Sequence, residues 1–425
     1  MSTQHRRLGV RPSLDQLTRE ATELLEAAHT GDQHALAEWR EFHPGAAEVA
    51  TATLADAQLT LARAYQANDW ARLVHAVELV DAIWADDLEA VRRLVSQHPR
   101  LLREEVLIRR DSNWGPPMTY AANLGRDAII RMLHTLGATD LKTAAGRAAL
   151  QGHVGTARML HEMAGSPSLD HDALGGPAYT LNLEGTALIL SLGAPVRDAD
   201  GRCLAPVDVV LQTDSRNPAA KHGILELYAS HGLSLPDTPT MALHRGRIDL
   251  LEQHLAADPQ LLARRFSHRE IYPAAMGCGD PLDATLGTPL DGTTLLHQAI
   301  EFDEVEIVRW LLDHGADVNS QARTGASGFG GYTPLFCTVV SQPNFWMNYG
   351  GRGPFVAPIT ELLLAHGADP NLRASIWKRL HPGHGDPSRH EYRDVTALSW
   401  GRRFHAPIFV SEPAMRLIEA AGGVE

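Results

Sequence analysis

Lysine is nearly missing from this 425-residue chain: Lys142, Lys221 and Lys378 stand against 35 arginines. That scarcity leaves almost no candidate for a Schiff-base or low-pKa amine. The arginine bias itself is what a GC-rich genome produces. Cysteine is equally thin. Cys203, Cys278 and Cys337 lie far apart with no C-x-x-C pair, which excludes a disulfide framework and a cysteine-based zinc site. No run of ~18 apolar residues occurs, and the opening MSTQHRRLGVRPS lacks an apolar core of the secretory kind. A soluble protein of a reducing cytoplasm is expected. Positive charge is also in deficit, 38 basic against 51 acidic side chains, so general attraction to nucleic acid or an anionic membrane is not expected.

What is present is a repeat. Residues 291–319, DGTTLLHQAIEFDEVEIVRWLLDHGADVN, assign a task to almost every position. Asp291-Gly292 makes a tight turn, and Thr294 is placed to cap a short helix with its hydroxyl. Leu296, Ala299 and Ile300 recur at helical spacing. Val305, Val308, Leu311 and Leu312 form the buried stripe of a second helix, closed by His314-Gly315. This segment resembles the ankyrin repeat.

Weaker copies surround it: GYTPLFCTVV (331–340) with ITELLLAHGADPN (359–371), then VTALSWGRRF (395–404) with MRLIEAAGG (415–423). Upstream, 114–138, 141–165, 179–196 and 224–235 keep the glycine, alanine and leucine skeleton. DDLEAVRRLVSQHPRLL (86–102) and GRIDLLEQHLAADPQLL (246–262) echo each other as opening units. The expected fold is therefore all-α, an ankyrin-repeat solenoid in two blocks, 77–236 and 237–425. Residues 1–76 are expected to form a helical module capping it. Gly31-Asp32, His43-Pro44, Ala57-Gln58, Arg63 and Trp70 resemble a small domain found before ankyrin units in bacterial proteins, which implies a bacterial source.

The repeat then loses its period. Thr294, Thr333 and Thr396 are 39 and 63 residues apart, where an ankyrin unit takes about 33. The excess falls in two insertions, 341–358 and 372–393, expected to be long and structureless, and such segments lean functional. Seven Lys/Arg against three Asp/Glu lie between Arg373 and His405, interleaved with aromatics. Arginine, tryptophan and tyrosine are the residue types of binding hot spots.

The expected function is a scaffold that binds a protein or peptide, with an acidic segment as a suitable partner. Recognition is expected on the concave face and the insertion loops, without nucleic acid, membrane or cofactor. The candidate contacts are Trp346, Tyr349, Arg352, Arg373, Trp377, Lys378, Arg379, His381, His384, His390 and Arg393. An alternative is a small-molecule enzyme or sensor, its pocket ringed by His390, Glu391 and Arg393.

Sharper chemistry is not expected. His381, His384, Asp386, His390 and Glu391 have the atoms for a metal site, but H-P-G-H-G-D matches no ligand spacing tied to a geometry. Glu391 and Asp394 beside His390 could exchange protons, yet no nucleophile motif accompanies them. Ser327 in GASGFGG is not a strand-to-helix elbow serine. Cys278, in MGCGD, reads as an exposed thiol without a base.

Overall fold

The computed structural model describes residues 5–45, 49–109, 112–197, 205–213, 216–279, 287–340, 356–380, 386 and 388–425. Trp346, Tyr349, Arg352, His381 and His384 lie outside them. The chain forms two compact units, Met1–Pro167 and Ser168–Glu425. Among the described residues no helix is long and apolar enough to cross a membrane.

The first unit holds α1 (Leu14–His29), α2 (Gln33–Phe42), α3 (Leu54–Ala64), α4 (Trp70–Trp84), α5 (Leu88–Gln97), α6 (Pro117–Ala122), α7 (Asp127–Thr135), α8 (Leu141–Gln151) and α9 (Val154–Met163). Leu17, Ala21, Leu24 and Ala28 recur every three or four residues in α1 and are the side chains it buries. Asp32, Thr53, Asp69 and Asp87 cap the helices that follow them by accepting a backbone N–H. Arg6 ties the N-terminal segment down by pairing with Glu20 and Glu38 at 2.8 and 2.7 Å.

The second unit holds α10 (Gly175–Tyr179), α11 (Leu183–Ser191), α12 (Val207–Gln212), α13 (Pro218–Ser230), α14 (Pro239–His244), α15 (Ile248–Ala257), α16 (His268–Ile271), α17 (Leu295–Glu301), α18 (Val305–Asp313), α19 (Pro358–Ala365), α20 (Ala397–Arg403) and α21 (Glu412–Ala420). The helices pair as the repeat predicts, α14 with α15, α17 with α18 and α20 with α21. Before α19 the inner helix is only a 3₁₀ turn, Pro334–Thr338.

An asparagine ladder holds successive pairs together, and a recurring histidine closes the second helix of each. Asn319 donates to the Gly367 carbonyl (3.1 Å) and accepts from the Asp369 N–H (2.8 Å), and Asn371 does the same with Gly422 and Val424. His231, His314 and His366 each place Nδ1 2.8 Å from the carbonyl four residues earlier, just before a glycine of positive φ. Each of those helix-end carbonyls thereby gains a second contact beside the backbone N–H it already accepts from the same histidine.

Several expectations need correcting. Thr294 makes no side-chain cap: its hydroxyl meets His297 Nδ1 at 2.9 Å, while His297 Nε2 donates to the Tyr332 carbonyl of the next unit (3.1 Å). Thr396 has serine three residues on instead of histidine, and it does cap, accepting the Ser399 N–H at 3.1 Å. Across the expected block junction at 236/237, Arg216 and His222 pair with Glu301 and Glu304. Cys278 is buried, not exposed.

The largest departure is at 372–393, which is not structureless. Strands β1 (Ala374–Lys378) and β2 (His390–Val395) pair antiparallel, with Ile376 opposite Tyr392 and Lys378 opposite His390. On its other side β1 bridges to Gly330, whose N–H donates to the Ser375 carbonyl at 2.7 Å.

Candidate functional site

The hairpin distributes the candidate residues by strand alternation. Ala374, Ile376 and Lys378 point to its buried side. Lys378 is only 1% exposed, so it is not the solvated contact residue expected from sequence. Trp377, on the opposite side, is half-buried, and Arg379 is exposed. Arg389 lies 4.5 Å over the Trp377 ring and 5.2 Å over Phe329, and Arg393 lies 4.3 Å over Phe329. Both arginines also reach Glu391, at 3.1 and 2.9 Å. Arg373 braces the end of the hairpin, donating to the Asp394 carbonyl at 2.6 Å.

His390 has a defined setting. Its Nε2 meets Asp386 at 2.9 Å, and its ring stacks on His405 at 3.8 Å with planes 8° apart. Ser388 and His390 together hold the Asp386 carboxyl at about 2. Tyr392 and His405 share a 2.7 Å hydrogen bond that fixes β2 to the segment after α20. Burial and the neighbouring His390 lower His405 below the usual histidine range.

Behind the hairpin is a cavity of about 340 Å³. Ile376, Trp377 and Lys378 of β1 form one wall, and Tyr272, Phe302 and Phe329 are among its aromatic faces. None of His390, Glu391 and Arg393 lines it. Its charged wall is built from Arg216 and Glu301, 9% and 4% exposed at the side chain. Arg216 donates to the Glu301 carbonyl (2.6 Å), the Thr213 carbonyl (2.9 Å) and Glu301 Oε1 (2.9 Å). Glu301 Oε2 accepts the Thr288 N–H at 3.0 Å. Burial raises the Glu301 carboxyl, opposed by Arg216 and Lys378. Gly287 lets the carboxylate come so close, since a Cβ there would sit 1.5 Å from Glu301 Oε1.

Next to the wall, Lys221 is 4% exposed and places Nζ 3.9 Å from the centre of the Phe302 ring. Burial lowers it to about 7, against the pull of Glu304. Sequence reasoning passed over Arg216, Lys221, Thr288 and Glu301. A signal for Lys221 was present: Ile224, Leu225 and Tyr228 follow it at three, four and seven residues, which puts the lysine on the apolar stripe of α13.

All seven residues of α17 are buried. Gln298, fully buried, has neither amide atom hydrogen-bonded among the described residues.

The ankyrin repeat family model matches residues 291–323. Among solved structures 114 chains match. One is the human ASB11 ankyrin repeat domain, at 17% identity, covering 73% of this chain and 99% of that one, with a TM-score of 0.24. No curated protein matches. The described residues are mostly helical, and the segment 291–323 within them is similar to an ankyrin repeat.

Proposed function

We propose that the chain is a binding scaffold of the cell interior that recognises a protein or peptide through the outer face of its hairpin. The observation that carries this is the placement of Arg389 over Trp377 and Phe329 and of Arg393 over Phe329, with Arg379 exposed two residues after Trp377. It is a cationic, aromatic surface held by two strands and not by a free loop. Arginine over an aromatic ring combines flat apolar contact with charge-assisted hydrogen bonding, which suits an acidic segment. The repeats supply rigidity and the hairpin supplies chemistry. Net charge of −13 weighs against nucleic acid or an anionic membrane as the partner.

The test is capture of partners from the native lysate by wild type and by a variant with Arg379, Arg389 and Arg393 changed to glutamate. Loss of the captured proteins, with melting unchanged, is the expected result. Capture of the same proteins by both chains would remove the hairpin from the recognition surface.

A further inference from the structure

We propose that the open edge of β2 pairs with the same edge of a second copy of this chain, joining two hairpins into one four-stranded antiparallel sheet. β1 is taken on both sides, by β2 and by the bridge to Gly330. β2 is the edge. Beyond its ladder with β1 and the contacts of Asp394 with Ser375 and Arg373, the backbone of His390–Asp394 bonds to nothing among the described residues. The direction of the unused groups follows from the other side of the sheet. Ser375 exchanges both of its backbone groups with Gly330, at 2.7 and 3.2 Å. Alternation then turns those of Ile376 and Lys378 toward β2, where Tyr392 and His390 lie opposite. A trans peptide points its carbonyl and N–H in opposite directions. With His390 and Tyr392 engaged inward, the Glu391 N–H and carbonyl and the Arg393 N–H point outward. Asp394 donates inward to Ser375 Oγ at 3.2 Å, which turns the Arg393 carbonyl outward too.

The side chains of this edge complement themselves. From residue 390, HEYRD runs basic, acidic, neutral, basic, acidic. Turned antiparallel about Tyr392, Glu391 of each copy meets Arg393 of the other, and His390 meets Asp394. Residues 391 and 393 are also the two whose backbone groups face outward, so each Glu391–Arg393 pair exchanges both of its hydrogen bonds. The two side chains are exposed, 39% and 59%, and opposite charges facing across strands favour the pairing. Two copies of a chain with net charge −13 repel each other, yet this edge is locally balanced, Arg389 and Arg393 against Glu391 and Asp394. A foreign acidic strand would set its charge against Glu391, whereas a second copy does not. Bulges and charges are the devices that stop strand edges from pairing without limit. Here the shift in register opposite Ala374–Ile376 confines the ladder to the residues around Tyr392. A two-fold contact uses one edge from each copy and leaves none, so association stops at two.

Sedimentation equilibrium of the purified full chain is expected to show reversible exchange between monomer and dimer, with no larger species. Glu391→Arg and Arg393→Glu each set like charges opposite one another at both pairs, and each should weaken the dimer at least about tenfold. An equal mixture of the two variants restores both pairs, as does the chain carrying both substitutions, and dimerisation should return in each case. Melting and far-UV circular dichroism establish that the variants are folded. Should one not fold, amide exchange of the wild type decides: Glu391 and Arg393 should gain protection as protein concentration rises, while 374–378 stay unchanged. The proposal is overturned by a chain that stays monomeric up to its solubility limit, or by growth beyond the dimer. It is equally overturned by single variants that dimerise as the wild type does, by a mixture of them that stays monomeric, or by amide exchange independent of concentration. An edge reserved for an extended segment of another protein gives the first of these results. The purified chain holds no other partner, so the outcome is independent of capture from the lysate.

Discussion

A single lysine shows how much free energy the interior of the second unit holds in tension. Lys221 lowers its pKa to about 7, against an ordinary value of 10.5, because burial strips water from its ammonium faster than Glu304 compensates. Below pH 7 both folded and unfolded chains carry the proton, and the folded state bears the full cost. Between about 7 and 10.5 the folded state releases the proton while the unfolded state keeps it, so stability rises with pH. Lys221→Met, of similar length and without charge, is therefore expected to stabilise the protein most below pH 7. At one pKa unit per 1.4 kcal/mol, the gain is of order 3–5 kcal/mol, shrinking toward pH 10.5. Urea denaturation on both sides of pH 7 measures it. A gain that does not depend on pH would mean the ammonium is not what the site resists.

At the level of the element, the hairpin is only as well placed as its bridge to Gly330. That glycine has φ +129°, and a Cβ on it would lie 2.2 Å from the Arg323 carbonyl oxygen. Gly330→Ala is expected to break the bridge to Ser375, and amide exchange across 374–378 should accelerate while α17 and α18 stay protected. Equal protection of β1 in both proteins would show that the bridge does not anchor it. The contrast with what was readable is instructive. Helix pairs were legible because the α17–α18 stripe, the His-Gly stops and the glycine two residues before Thr294 and Thr333 are local signals. Even the one missing glycine follows the rule, since Asp394 adopts φ +49° where Gly292 and Gly331 have +76°. The hairpin was not legible, because ASIWK is too short for alternation to stand out and lies far from its partner strand. Lys378 looked like a surface cation for the same reason. The cavity was beyond any local pattern: its walls draw on Leu211, Arg216, Tyr272, Phe302, Tyr332 and Lys378, far apart in sequence and joined only by the fold.

Over the described residues, Lys221, His244, His297 and Glu301 are fully buried ionisable groups, and all four belong to the second unit. Acid should therefore act on it in a definite order. His297 is neutral in the fold, accepting from Thr294 and donating to Tyr332, and burial depresses it to about 4. His244 is depressed further, by burial and by Lys221. The unfolded chain takes up these protons near pH 6.5, so their stabilising contribution is complete above that value and is lost as pH falls toward 4. For His297 the loss amounts to about 3 kcal/mol. Glu301 works the other way. Its pKa is raised, so the folded state takes its proton before the unfolded state does, which offsets part of the histidine effect. His297→Gln keeps an amide able to donate to the Tyr332 carbonyl but removes the titration, and it separates the two contributions. Amide exchange followed from pH 7 to 4 is expected to show protection at 287–340 falling steeply in wild type and more gently in His297→Gln. Parallel loss in both proteins would place the acid sensitivity elsewhere. A steep fall confined to wild type would identify the histidine that ties one repeat to the next as the element through which acid loosens the second unit.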